Sequence, residues 1–456
     1  MLKSHAKKAV KRSLNQHVKL AVTGLSKSGK TAFITSLIHQ LTRSEPCLPF
    51  FSLHQEKRFI AAKCVAQDDL TVPSFDYANG LSQLQSGFWP KSTNQLNTIR
   101  LNIKYKPNAG LRARLAETST LTVDLFDYPG EWLLDLPMLE QDYITWNNQQ
   151  YALLKTEPRQ TYSDEFLSNV GNLLLDSEQN DDTLKQLAYQ YRDLLFTFKQ
   201  QCQLSQLQPG RLIMPGELAD APITLFFPVT PLTEEMVANA DENSTLLALK
   251  TRFEQYKKEV VQAFYRRFFD GFDRQIILVD LLSALEQGRT ALVEQSNVIK
   301  SLLTHFDYGQ SGIFNRLFSP KIDKILFAAN KVDHLSFEHQ KDLALLLNNL
   351  IYDAKNELNY QGVTVETIAM SSVKATKQVK VQEKGETLNC VYGKSTETDS
   401  FITYLPAQPP MRLLSEKQWP QHGFHFPSFY PMLENEELGH IRLDHVLEFL
   451  LGDKVQ

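Results

Sequence analysis

The sequence predicts a doubly wound α/β core with a mostly parallel sheet and one antiparallel edge strand. A large helical insertion interrupts that core, and a small β-containing C-terminal segment follows it. Three observations carry the expectation. A glycine-rich loop joins an alternating strand to a helix near the start of the chain. Two further strand ends run into the loops DYPG and NKVD, in that order. Between those two loops lies a long stretch with helical apolar spacing.

The first element is His17 to Val22, with Val18, Leu20 and Val22 alternating as a half-buried strand does. The loop Gly24-Leu25-Ser26-Lys27-Ser28-Gly29-Lys30-Thr31 follows and matches G-x-x-x-x-G-K-[ST], the phosphate-binding P-loop. Thr31 to Leu41 then carries Phe33, Ile34, Leu37, Ile38 and Leu41 at helical spacing. Strand, loop and helix in this order make an anion nest, because loop N–H groups and the helix N-terminus converge. Gly24, Ser26, Lys27, Ser28, Gly29, Lys30, Thr31 and Ala32 are the binding positions this implies. Lys30 supplies the charge for β- and γ-phosphates, and the Thr31 hydroxyl is a Mg²⁺ ligand.

Thr98 to Tyr105 alternates Ile99, Leu101, Ile103 and Tyr105, and Thr120 to Phe126 is a second strand. An alternating strand hairpinned to a more apolar one places an antiparallel edge beside a parallel interior. The second strand ends on Asp127-Tyr128-Pro129-Gly130. Asp127 has the position of a metal-holding carboxylate, and Gly130 offers an N–H to a γ-phosphate. Thr93, shortly before the edge strand, is the candidate hydroxyl that closes on Mg²⁺ and γ-phosphate, with Ser92 and Thr98 as rivals. Glu131 stands where many such sites carry a water-orienting Gln, which points to slow intrinsic turnover.

Residues 133–270 read as mainly helical, with stripes such as Leu184, Leu187, Tyr191, Leu194 and Phe198. The Pro-rich stretch from Pro209 to Pro231 has no role legible in its residues. Strand character returns at Gln275 to Leu281 and again at Lys324 to Ala329, which ends on Asn330-Lys331-Val332-Asp333. Asp333 is an acceptor-only group matched to the N1–H and exocyclic amine of guanine, a donor pair that adenine lacks. Asn330 fixes the loop, and the Lys331 stem packs over the ring. After the strand Val363 to Met370, the backbone of Ser371-Ser372-Val373-Lys374 is placed to hold guanine O6, with Ser372 and Val373 nearest. A hairpin turning at Lys384-Gly385 and a closing helix from Ile441 to Leu451 complete the chain.

Composition is that of a globular protein, with 42% hydrophobic and 22% charged residues over 456 positions. That length suggests roughly three domains. A formal net charge of −4 gives no field that would draw nucleic acid. Four dispersed cysteines, Cys47, Cys64, Cys202 and Cys390, fit a reduced cytoplasmic compartment better than a disulfide framework or a zinc site. No apolar run is long enough to span a membrane. The basic arm at residues 1–16, with Lys3, Lys7, Lys8, Lys11 and Arg12, is a solvated terminus or a weak anionic-lipid contact.

The order GLSKSGKT, DYPG, NKVD resembles a translation-factor-type GTPase of the P-loop class. More closely, the chain resembles the YcjX family of bacterial stress-associated P-loop GTPases. The stretches that carry this are VKLAVTGLSKSGKTAFITSLIHQL, FWPKST, DLFDYPGEWLLDLPML, PGRLIMPGEL, ILFAANKVDH and HIRLDHVLEFLLGDK. The resemblance implies GTP binding and hydrolysis, a cytoplasmic location and a link to envelope or phage-shock stress, and the cofactors expected are GTP or GDP with Mg²⁺. The division expected is a GTPase core at 17–150 and 270–376, a helical insertion at 151–269 and a C-terminal segment at 377–456. The partners expected are a guanine nucleotide and an effector protein of open identity, with the inner membrane face as a candidate place of action. The rival reading is a nucleotide-gated scaffold that binds GTP without useful hydrolysis.

Overall fold

The computed structural model describes residues 16–24, 28–45, 47–108, 116–178, 180–268, 271–306, 322–434 and 437–456. The basic arm before Gln16 therefore lies outside the described residues, as do Ser26 and Lys27 of the phosphate loop. Two compact units divide the chain: residues 1–128, 272–292 and 321–456, and residues 129–271 and 293–320.

The first unit is built on a sheet of β1 (Gln16–Gly24), β2 (Phe59–Val65), β3 (Asn97–Tyr105), β4 (Ser119–Asp127), β5 (Arg274–Val279), β6 (Lys324–Ala329) and β7 (Thr364–Ala369). Their order is β2-β3-β4-β1-β5-β6-β7. From β4 to β7 all neighbours pair in parallel. Every residue of β5 is buried, as a parallel strand covered on both faces must be. β3 is the strand that runs against the others. It is not the last strand, because β2 pairs outside it with a register shift between Phe59 and Ala61. β2 (FIAAKCV) is mostly exposed and lacks strict alternation, so the sequence pattern hides it.

Helix Lys30–Thr42 buries Phe33, Ile34, Leu37, Ile38 and Leu41 against this sheet. Helix Leu443–Leu451 adds Leu443, Val446, Leu447 and Leu450 to the same core as Val18, Leu20 and Leu326. Each such side chain contributes about 1.5–3 kcal/mol on full burial. The closing helix is thus part of the core, and residues 377–456 group with the first unit instead of standing apart. Within that segment β8 (Lys377–Glu383), β9 (Glu386–Lys394) and β10 (Phe401–Tyr404) form an antiparallel sheet. Its first hairpin turns at Lys384 and Gly385, with φ of 50° and 88°, the positive pair a type I′ turn needs.

The second unit is helical, and it begins at Pro129, not near Tyr151. The reason is packing: residues just after Gly130 make their contacts inside it. Trp132 donates its indole N–H to the Met214 carbonyl at 2.8 Å and lies under the Arg211 guanidinium, 3.2 Å from ring centroid to Cζ. Gly210 comes so close to Glu131 that a Cβ there would sit 1.8 Å from the Glu131 carbonyl oxygen. The Pro-rich stretch thus acquires a role, as the bed for the turn after DYPG. Residues 293–320 join the same unit, and Glu294 there forms a buried pair with Arg159 at 2.5 Å.

Asp135 is the carboxylate at the centre of this packing. It accepts from Tyr256 Oη at 2.5 Å, from the Gly210 amide at 2.7 Å and from the Arg211 amide at 3.3 Å. Burial pushes its pKa up from 3.8 to about 6, against the lowering effect of those donors. Between these two values folded Asp135 keeps its proton while the unfolded carboxyl has lost it. The folded state then binds more protons, so raising the pH through that window weakens folding. Asp135→Asn cannot ionise. Its stability relative to wild type should therefore rise by about 1–3 kcal/mol from pH 4 to pH 7. Urea unfolding at the two pH values measures this, and a difference that stays constant would mean that Asp135 does not titrate on folding.

Candidate nucleotide-binding site

The site assembles at the C-terminal ends of the parallel strands, where an open α/β sheet places its ligands. β1 ends at Gly24 and helix Lys30–Thr42 begins six residues later with the lysine of the loop. Gly29 caps that helix with φ 81°, a left-handed angle that favours glycine. A Cβ on it would also lie 2.8 Å from Nδ2 of Asn330. Ser28 beside it is 2% exposed.

Four side chains named from the sequence meet at the end of β4. The Lys30 ammonium pairs with Oδ1 of Asp127. Thr93 donates its hydroxyl to Oδ2 of the same carboxylate at 2.7 Å. The Thr31 hydroxyl lies 3.3 Å from that of Thr93. Asp127 is 1% exposed, a burial that a carboxylate tolerates only when paired. The position of Asp127 follows from its strand, since it stands opposite Val22 of β1 and Asn97 of β3. Of the three candidate hydroxyls, Thr93 is the one brought to Asp127. Ser92 is exposed, while Thr98 is buried within β3 opposite Phe126.

Two hydroxyls and a carboxylate form a compact set of hard oxygen donors, which suits Mg²⁺. No group of three or more His, Cys, Asp or Glu side chains with metal-binding geometry occurs among the described residues.

The second half of the site is the loop after β6. Asn330 donates Nδ2 to the Ser28 carbonyl at 2.9 Å and accepts at Oδ1 from the Ser372 amide at 3.1 Å. One side chain therefore joins the phosphate loop to the loop after β7. Ser372 is held further by Ser36, whose hydroxyl donates to its carbonyl at 2.6 Å. Lys331 takes φ 67° and reaches Oδ2 of Asp280 at 2.5 Å. Burial alone would raise the pKa of Asp280, but Lys331 and Ser283 outweigh it and hold the carboxyl below its usual range. In the sequence Asp280 lies inside the apolar run Gln275 to Leu281, with no motif to mark it. β5 stops at Val279, and Asp280 caps the next helix by accepting from Ser283.

Asp333 is 2% exposed. It accepts from Ser371 Oγ at 2.5 Å, and its other oxygen accepts from the Ala375 and Thr376 amides at 2.7 and 3.1 Å. Three of roughly four acceptor positions are thus taken by the chain itself. A cavity of about 790 Å³ opens beside it, lined also by Lys374, Thr376, Arg43, Phe50 and His440. Val373 is buried and packs with Ala32, Leu84 and Leu438, so its side chain serves the core there.

Gly130 and Glu131 belong to the second unit. Glu131 is 6% exposed and its carboxylate is held by Lys199 at 2.7 Å. Sequence reasoning named Glu131 but not this lysine, which lies at the end of helix Asp181–Gln200 with no motif to mark it.

No helix among the described residues is long and apolar enough to cross a membrane. Residues 18–455 match the YcjX-like family, DUF463. A protein of Shewanella oneidensis named Ras-like GTPase YcjX is 38% identical over 469 residues, covering 98% of this chain and 96% of that protein. The Escherichia coli protein of the same name is 38% identical over 464 residues, covering 100% of this chain and 99% of its own length. With a family match over residues 18–455 and relatives 38% identical across nearly their whole length, the chain belongs to the YcjX-like family.

Proposed function

We propose that this protein binds GTP with Mg²⁺, hydrolyses it slowly to GDP, and acts as a nucleotide-dependent switch in a bacterial stress response. The observation that carries the reading is the meeting of Lys30, Thr31 and Thr93 around Asp127. The relatives named Ras-like GTPase support it. The stress setting rests on the family resemblance alone.

In this reading Lys30 exchanges Asp127 for the β- and γ-phosphates, since an ammonium is a movable point charge on a flexible stem. Mg²⁺, held by Thr31 and Thr93 with Asp127 close by, would neutralise phosphate charge. Thr93 then ties the loop before β3 to the presence of γ-phosphate. The base is read at Asp333. Asp333 is an acceptor-only carboxylate that already takes O–H and N–H donors at its two oxygens, the chemistry that guanine's N1–H and exocyclic amine require. Guanine presents two N–H donors to such a carboxylate, whereas adenine has no matching donor pair at that edge. Glu131 is engaged by Lys199, which leaves it a poor water-orienting base and fits slow unassisted turnover.

The second unit is the proposed effector module, because it begins at Pro129, two residues after Asp127 and within the DYPG turn. A packed helical unit can carry a small shift at its first residues as a rigid body. The scaffold alternative shares the site but releases no phosphate at steady state, so a phosphate-release assay separates the two.

Three outcomes test the reading. Lys30→Ala should lower GTP affinity by about tenfold to a hundredfold, the loss expected for charge-assisted contacts. Asp333→Asn should move preference from GTP toward XTP in a competition series, since the amide donates where xanthine has a carbonyl. Unchanged selectivity would end the base assignment whatever Lys30 does. Hydrogen exchange in the GDP and GTP-analogue states should differ at Trp132–Leu136 and at Gly210–Met214 packed on them. Differences confined to residues before Pro129 would make the helical unit passive.

A further inference from the structure

The loop that carries Thr93 is pinned by the far end of the chain. Trp89, four residues before Thr93, donates its indole N–H to the Phe429 carbonyl at 2.7 Å. Phe88 beside it meets the Tyr430 ring edge-on at 6.0 Å. Phe429 and Tyr430 sit in a short strap, residues 426–432, which runs between β9 and the loop after β7. Its backbone is fixed on both sides. Thr396 donates to the Ser428 carbonyl, Tyr430 donates to Lys394, and Met432 donates to Lys374, each at 2.9 Å.

The same strap touches the base-reading loop. The Phe429 ring packs edge-on against His334 at 5.1 Å, next to Asp333 in the chain. It also packs with Ala375, whose amide is one of the Asp333 donors. His334 is buried, and that burial pulls its pKa down. One residue thus holds the hydroxyl loop by its carbonyl and the base loop by its ring. Phe429 is 2% exposed, so its ring cannot move without moving its neighbours.

We propose that Trp89 is a positioning residue. Its bond to Phe429 holds the Thr93 loop against Asp127 and, through the strap, couples that loop to the Asp333 loop. The inference rests on the site being a guanine-nucleotide site. It goes beyond that reading by giving the C-terminal strap a part in closing the metal end. Without the indole donor, the Phe429 carbonyl turns to water, and the Thr93 loop keeps its hydroxyl bonds, the Lys91 amide bond to Gln83 Oε1 and the Phe88–Tyr430 ring contact. A single hydrogen bond is a modest restraint, so the effect is a shift in poise and not a loss of the site.

The test uses the full chain with Trp89→Phe, Trp89→His and Phe429→Leu. Trp89→Phe keeps an aromatic ring beside Tyr430 but deletes the donor. The magnesium concentration for half-maximal binding of a non-hydrolysable GTP analogue should rise about threefold to tenfold. GDP affinity measured without magnesium should change less than about twofold, because Thr93 takes no part there. Trp89→His retains a ring N–H and should recover part of the shift. Phe429→Leu keeps the carbonyl but loosens the ring on His334. It should raise the magnesium requirement and also narrow the preference for GTP over XTP. Amide exchange across residues 90–96 without nucleotide should be faster in Trp89→Phe than in wild type. A magnesium requirement in Trp89→Phe equal to wild type overturns the proposal. So does a Phe429→Leu variant altered in base preference alone. Should Trp89→Phe fail to fold, Trp89→Leu deletes the same donor, and its magnesium requirement must rise likewise. Failure of wild type to bind any guanine nucleotide would instead sink the functional reading, and the exchange measurement would still judge the strap.

Discussion

The Asp127 carboxylate is the constraint on which the site depends. It is buried at the end of β4, where an unpaired charge would cost several kcal/mol. It must therefore be met by a cation or strong donors in every state of the protein. Lys30 meets one oxygen and Thr93 the other, so phosphate loop and hydroxyl loop share one anchor. A ligand that takes Lys30 away has to leave a positive charge behind. A phosphate with its metal does this, and an uncharged ligand does not. The sheet supplies the anchor: the parallel pairing of β4 with β1 sets Asp127 beside Val22, just before the phosphate loop.

The second restraint is the Asn330 amide, which uses both its donor and its acceptor across loops far apart in sequence. A bidentate bridge of this kind sets a distance between Ser28 in the loop after β1 and Ser372 in the loop after β7. The Lys331–Asp280 pair does similar work on the next strand. These loops therefore cannot drift independently.

Much of this was legible in the residues. The phosphate loop, Asp127 and NKVD stand at strand ends in fixed order, and strand alternation is local, so periodicity finds it. Thr93 could be named but not chosen over Ser92 and Thr98, since the choice depends on where a loop folds back. β2 was missed because an edge strand of small and exposed residues carries no alternation. Lys199, Asp280 and Phe429 were missed because each acts through a tertiary contact with no spacing to betray it. The early start of the helical unit was missed for the same reason. Trp132 and Asp135 look like continuation of the core until their partners, Arg211 and Tyr256, are seen. The self-satisfied state of Asp333 was likewise invisible, since Ala375 and Thr376 donate from backbone.

The β2 edge has a consequence for the chain before it is fully folded. An edge strand offers a row of outward amides and carbonyls to any other extended chain. Here the offer is spoiled in two ways. The register shift at Ile60 breaks the regular spacing of those groups, and Lys63 puts a charge in the middle of the strand. Lys57, with φ 55°, bends the backbone just before it. Ala61 and Ala62 also give a would-be partner strand little apolar surface to cover. The residues that make β2 hard to recognise are those that guard it against pairing with a neighbouring molecule.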